Sequence, residues 1–277
     1  MPKFQNLTEA FWYIRENPLE YLPEKSLALF NAFWIGYEWR YEVEFKEYKG
    51  FDLLDGFHDF MCEEFRVPSN RGSYGIAEFY SQNQAEAFDL WFSCLEEFIS
   101  KKDGTSDIEK YYAKRRTEDL FSARKEIDFF GLIKMMQKRI AMYVGSTSFT
   151  LATSLILGWL RAIQDFEFKE SEQEQTFKKF QKYIEDRPFW IRAEQEDSNL
   201  PPTPPWNKII WFRSHTEENA LKMFAEYFDE FAFQGKGYVD YVEFHWKNHL
   251  EHQKDCHIIK RWRKSYDKSE QQVILFL

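Results

Sequence analysis

The sequence predicts a mainly α protein, built from two tandem copies of one helical module with at most short strands and closed by a C-terminal helix. Three observations predict it. Residues 136–159 lie over residues 14–37 at an offset of 122 positions, pairing Tyr21 with Tyr143, Ser26 with Ser148, Leu29 with Leu151, Gly36 with Gly158 and Tyr37 with Trp159. The frame returns at an offset of 133, where Ile76 meets Ile209, Phe79 meets Phe212, Ala87 meets Ala220 and Glu97-Phe98 meets Glu230-Phe231. A repeat of roughly ninety to a hundred residues has the size of one small module. Finally, apolar residues recur at intervals of three and four through most of the chain, the period of a half-buried helix. Positions that recur are expected to build the fold, and positions that differ are free to carry function.

Each element follows from local signals. Leu7 to Asn17 reads as a short helix, with Asn6 or Thr8 as its cap and Pro18 as its stop. Ser26 to Tyr48 reads as a long helix with Leu27, Phe30, Phe33, Trp34, Tyr37 and Tyr41 inward, ended by Gly50. Phe51 to Phe65 is expected to form a second amphipathic helix, with Leu54, Phe57, Met61 and Phe65 on one side. Pro68 to Gly75 reads as a loop, and Ile76 to Tyr80 as a strand or extended connector. Gln84 to Ile99 reads as a helix packed through Phe88, Trp91, Phe92, Leu95 and Phe98. Lys102 to Ser106 has turn chemistry, and Asp107 to Glu126 reads as a helical connection. The second copy repeats the order, with its long helix over Ser148 to Phe168. Pro201, Pro202, Pro204 and Pro205 force an extended excursion into it. Val239 to Lys264 reads as the closing helix, and Val273 to Leu277 is an apolar end. The expected organisation is therefore 1–100, a connection over 101–126, 127–235, and 236–277.

Composition bounds the function. Aromatics make up 19% of 277 residues, ample for a packed interior although the mean hydropathy is −0.62. Cys62, Cys94 and Cys256 are three, odd in number and widely spaced, which argues against a disulfide framework and for a reducing, cytoplasmic setting. The first residues have no apolar signal-peptide core, and the apolar run 149–163 is too short to span a bilayer, so no membrane role is expected. The formal charge is −9 and it is lopsided: residues 1–100 hold 18 acidic and 8 basic side chains, the rest 28 and 29. That field repels nucleic acid and attracts basic proteins.

Arg139, Met142-Tyr143, Gly145 and Ser148, followed by an apolar helix ending Gly158-Trp159, resemble a group of small uncharacterised bacterial helical proteins. Their hallmark is R-P-G-M-Y-[ILV]-G-x-x-S before a helix ending in G-Y. The second copy here lacks the proline, and the first keeps Tyr21, Ser26 and Gly36-Tyr37. The resemblance implies a bacterial source and a helical module, and by analogy an immunity partner of a toxin. It supplies no catalytic residues.

Four constellations carry candidate chemistry. Asp52, Asp55, Asp59 and Glu63 recur at three, four and four, an acidic stripe on the expected helix opposite Phe57, Met61 and Phe65, absent from the second copy. Glu38 and Glu42, with Glu44 and Glu47, extend it. It is expected to dock a basic protein, a toxin or nuclease, with Trp39 or Tyr48 as anchors; a solvated face accounts for the same residues. His245, His249, His252 and Cys256 share one helical face, and two or three of them suit zinc, with Glu243 or Glu251 as general base, though a polar helix face explains them too. Lys260 to Lys264 is a short basic patch that a helix C-terminus also favours. His58 and Cys62 stand one turn apart, a conceivable nucleophile pair. The preferred expectation is a non-enzymatic, immunity-like acidic binder without cofactor. The alternatives are a zinc-dependent enzyme and a scaffold subunit of a bacterial defence complex.

Overall fold

The computed structural model describes residues 2–45, 52–68, 72–102, 128–185 and 204–233. These form eleven α-helices: α1 Leu7–Glu16, α2 Leu27–Phe45, α3 Phe57–Phe65, α4 Gly72–Phe79, α5 Gln84–Lys102, α6 Phe129–Arg139, α7 Ala141–Val144, α8 Phe149–Asp165, α9 Glu172–Glu185, α10 Trp206–Ser214 and α11 Glu217–Phe233. Two 3-10 turns, Pro18–Glu20 and Asp52–Leu54, interrupt the first half. The fold is mainly α, and among the described residues there is no strand. The chain divides into two compact units, Met1–Glu226 and Tyr227–Leu277. Of the second unit only the last turns of α11 are described, where Phe228 and Ala232 are buried.

The helix starts obey side-chain caps. Asn6 accepts from the Glu9 amide at α1, and Asp128, 122 positions on, accepts from the Gly131 amide at α6. Ser148 caps α8 by accepting from the Leu151 amide at 3.1 Å, and Ser26 does the same for the Leu29 amide at 3.3 Å. Both serines are themselves held from another helix. Ser26 Oγ and the Ala28 amide donate to Gln84 Oε1 at the head of α5, at 3.2 and 2.8 Å. Ser148 Oγ and the Thr150 amide donate to Glu217 Oε2 at the head of α11, at 3.1 and 2.9 Å. The offsets of 122 and 133 thus relate equivalent hydrogen bonds as well as equivalent letters.

The most extensive helix contact among the described residues is α2 against α8. It is reciprocal. A Cβ on Gly36 would stand 2.9 Å from the Leu155 carbonyl carbon, and a Cβ on Gly158 would stand 2.8 Å from that of Phe33. The backbones therefore touch, and only glycine fits at either position. Tyr21 carries the Arg161 guanidinium over its ring at 4.4 Å, while Tyr143 meets Trp39 edge-on at 5.4 Å; each partner pair is again 122 apart.

Aromatic clusters pack outward from this crossing. Phe11 lies 4.9 Å from Trp34 and 5.3 Å from Phe92, with Phe30 and Phe88 around them. In the second half Phe129, Trp159 and Phe177 make one group, and Trp206, Phe180 and Phe224 the next.

Two expectations fail. Residues 72–79, read as loop and strand, are helix α4, because Ile76 and Ala77 are buried on one side while Phe79 stays out. The expected helix over 51–65 is cut by Gly56, whose φ of +78° is open to glycine and costly for other residues. Of the connection expected over 101–126 only Lys101 and Lys102, which end α5, are described; its remainder, most of the proline excursion, Gly50, the closing helix and the apolar end lie outside the described residues.

Candidate functional site

The cut at Gly56 also dismantles the expected stripe. Asp52 belongs to the 3-10 turn, Asp55 stands exposed before Gly56, and only Asp59 and Glu63 share α3, one turn apart. A left-handed residue redirects the chain, so the spacing of three, four and four no longer maps onto one face. Glu38 and Glu42 are half-buried on α2. Trp39, expected as an exposed anchor, is 7% exposed and packs against Tyr143. Tyr48 and Glu47 lie outside the described residues.

The structure supplies other anchors. Phe79 is 70% exposed at the end of α4, and Tyr80 beside it is 47% exposed. Tyr80 lies 4.8 Å from Phe65 and donates to its carbonyl at 3.3 Å, which ties the pair to the C-terminal end of α3, two residues beyond Glu63. Phe212, at the matching position of α10, is 65% exposed. Recurrence of Phe79 and Phe212 was expected to mark a core position, and the structure places both at the surface. Carboxylates crowd the first-half surface, since residues 52–102 hold ten acidic against four basic side chains. Several are paired: Asp89 with Lys25 at 2.5 Å, Glu97 with Lys101 at 2.6 Å, and Glu96 with Arg15. Each such pair cancels the charge of its carboxylate, two of them with cations from outside that span, and contributes little to stability.

His58 and Cys62 do come together, with Sγ 3.6 Å from Nε2. Burial, with Asp59 adding to it, pushes the Cys62 thiol up. A nucleophile needs the opposite shift, because the thiolate is the reactive form. Burial likewise raises Cys94 to about 11. Among the described residues no group of three or more His, Cys, Asp or Glu side chains is arranged to hold a metal. His245, His249, His252, Cys256, Glu243, Glu251 and Lys260 to Lys264 lie outside the described residues.

Two buried polar networks flank the α2–α8 crossing. Glu174, 2% exposed, accepts from Arg40 Nε at 2.9 Å and Trp159 Nε1 at 2.7 Å through one oxygen, and from the Ser171 amide at 2.6 Å through the other. Arg40 also donates to Glu44 and to the Lys169 carbonyl. Every charge there is matched, as burial demands. Asp165, fully buried, accepts from Tyr37 at 3.1 Å and Arg161 at 2.9 Å. Burial raises its carboxyl above the usual range, against the pull of Arg161. These groups hold α2, α8 and α9 together.

Two clefts open beside them. One, of about 280 Å³, is lined by Glu20, Tyr21, Leu157, Arg161, Gln164 and Lys178 among others. The second, of about 380 Å³, is lined chiefly by Leu19, Leu22, Leu29, Phe149, Leu157 and Trp211. They share Glu20, Tyr21 and Leu157, so together they follow one side of α8.

The motif residues act as helix punctuation. Arg139 ends α6, Gly145 closes α7 at a φ of +81°, and Ser148 caps α8. Ile140 stands where the hallmark has proline, at a φ of −52° that proline also adopts. No family model matches the chain, and neither a curated protein nor a solved structure matches it. No helix of the described residues is long and apolar enough to cross a membrane.

Proposed function

We propose that the protein is a non-enzymatic binding module that docks a basic protein on its acidic first half, in the manner of an immunity partner. One observation carries the reading: Phe79 and Tyr80 stand exposed on a surface whose carboxylates far outnumber its cations. Adjacent exposed aromatics within a charged rim have the composition of an interface hot spot, with the rings as anchors and the carboxylates as guides. Asp55, Asp59 and Glu63 steer the partner, and Phe79 and Tyr80 seat it. The second half lacks the acidic excess, in keeping with descent of both halves from one duplicated module of which only the first turned anionic. The reciprocal glycine contacts and paired caps support that descent.

Affinity capture from the source cell tests the reading. The wild-type chain should retain a protein of high isoelectric point and release it as salt rises. A bait carrying Asp59→Lys and Glu63→Lys, and another carrying Phe79→Ser, should lose it while melting at nearly the wild-type temperature. Retention of the same protein by all three baits overturns the assignment.

A further inference from the structure

Phe65, Phe79 and Tyr80 form one aromatic group where α3 and α4 end. Tyr80 lies 4.8 Å from Phe65 with the rings at 39°, and 5.1 Å from Phe79 with the rings nearly perpendicular at 85°. The Tyr80 hydroxyl donates to the Phe65 carbonyl, which fixes the ring before any guest arrives. Among the described residues no cation stands over these three rings.

Elsewhere several rings carry a cation of the chain's own, and that cation also reaches a carboxylate. Arg161 stands over Tyr21 at 4.4 Å and donates to Asp165. Arg40 stands over Phe168 at 5.0 Å and donates to Glu44 and Glu174. Arg15 stands over Trp12 at 5.9 Å and pairs with Glu96. Lys25 over Phe88 with Asp89, and Lys101 over Phe60 with Glu97, repeat the arrangement. The ring face attracts the cation through its quadrupole and the carboxylate accepts its N–H groups, so together they hold a cation better than either alone.

The group at Phe79 and Tyr80 has the same parts. Glu63, Glu64, Glu78 and Glu86 are exposed around it: Glu64 precedes Phe65, Glu78 precedes Phe79, and Glu86 accepts from the Gln82 amide, two residues past Tyr80, at 3.0 Å. Arg66, exposed beside Phe65, and Lys101, 3.8 Å from Glu64, offset part of this charge and leave the rim negative. The duplicated position differs. Beside the exposed Phe212, 133 residues on, Arg213 stands for Tyr80, Trp211 for Glu78 and Asn219 for Glu86. The second half thus has a cation where the first has a ring, and lacks the glutamates.

We propose that Phe79 and Tyr80 seat an arginine side chain of the basic partner, with the guanidinium against the rings and its N–H groups toward the flanking glutamates. Arginine suits this place better than lysine. Its guanidinium is planar and weakly hydrated, stacks on a ring and offers carboxylates a fixed fork of donors, whereas an ammonium at an exposed site keeps its water. The inference rests on the docking reading above and names the group that fills its anchor.

Fluorescence anisotropy at low salt tests it on the full chain with two labelled twelve-residue peptides of glycine and serine, one carrying six arginines and the other six lysines. The wild type should bind the arginine peptide about threefold or more tightly than the lysine peptide. Phe79→Leu and Tyr80→Leu keep an apolar side chain but remove a ring, and each should erase most of that preference, whereas Phe79→Trp should keep or enlarge it. Both positions are exposed, so either leucine variant reads the seat if the other fails to fold. Phe212→Leu should change neither affinity, and Asp59→Lys with Glu63→Lys should weaken both peptides. Equal affinity of the wild type for the two peptides, or an arginine preference that survives both leucine variants, overturns the seat. If charge reversal still weakens both peptides in that case, the acidic docking face stands without it. Failure of both peptides to bind overturns the seat and the acidic face together. A wild-type dimer in sedimentation velocity that Phe79→Ser dissolves also overturns the seat, since a second copy of the chain then fills it.

Discussion

Replacing Gly36 or Gly158 by alanine should destabilise the protein by similar amounts, and replacing both should cost much less than twice as much. In an isolated helix the exchange gains about 1 kcal/mol, because alanine loses less backbone freedom. Here each new methyl meets main chain, the Leu155 carbonyl from Gly36 and the Phe33 carbonyl from Gly158. A peptide group cannot rotate away as a side-chain tip can, so α2 and α8 must separate. That movement loosens Phe33, Tyr37, Leu155 and Trp159, all at most 1% exposed. Overpacking of this kind costs about 1–3 kcal/mol, and the loosened contacts add to it, leaving a net loss of about 1–3 kcal/mol per substitution after the helical gain. One separation makes room for both methyls, so the double variant should fall short of additivity by about 1 kcal/mol or more. Urea unfolding with linear extrapolation reads all three values. A single variant as stable as the wild type, or strict additivity in the double variant, would refute the reciprocal contact.

Three further outcomes follow from the polar groups. Because burial raises the Asp165 carboxyl, its contribution to stability is fully present below the unfolded value of about 3.9 and is lost as pH rises through the raised folded value. The wild type should therefore gain stability relative to Asp165→Asn as pH falls from about 7 toward 4, and thermal melts of both proteins across that range check it. Arg40→Met strands the Glu174 carboxylate in the interior and should cost about 3–5 kcal/mol by denaturant unfolding. Gln84→Ala and Glu217→Ala each remove bonds that brace a helix start, and should lower stability comparably, by about 0.5–2 kcal/mol in the same assay.

Helices with a cap and a long apolar period were legible in the letters. α1 has Asn6, α8 has Ser148, and α2 and α5 repeat large aromatics at three and four. α4 was not, because Ile76 to Tyr80 is too short to betray its period and two glycines precede it. The acidic spacing misled for a related reason: one left-handed glycine at position 56 removes the continuity that a face requires. Trp39 misled because α2 is covered on several sides, by α4, α5, α7 and α8, and its exposed residues gather at its C-terminal end, beyond Trp39. The anchor Phe79 was hidden by the rule that recurring positions are core, which holds for Gly36 and fails for Phe79. The buried ions left a trace: Arg40 and Asp165 are charges set within or beside long apolar runs, and each needs a partner that only the fold identifies.

The most direct test of the docking face is the rate at which the captured basic partner associates with it. Between about 10 mM and 150 mM salt the screening length drops from about 30 Å to 8 Å, so a steered encounter should slow steeply for the wild type. Asp59→Lys with Glu63→Lys should start slower and respond far less to salt. An association rate indifferent to both salt and charge reversal would contradict the account.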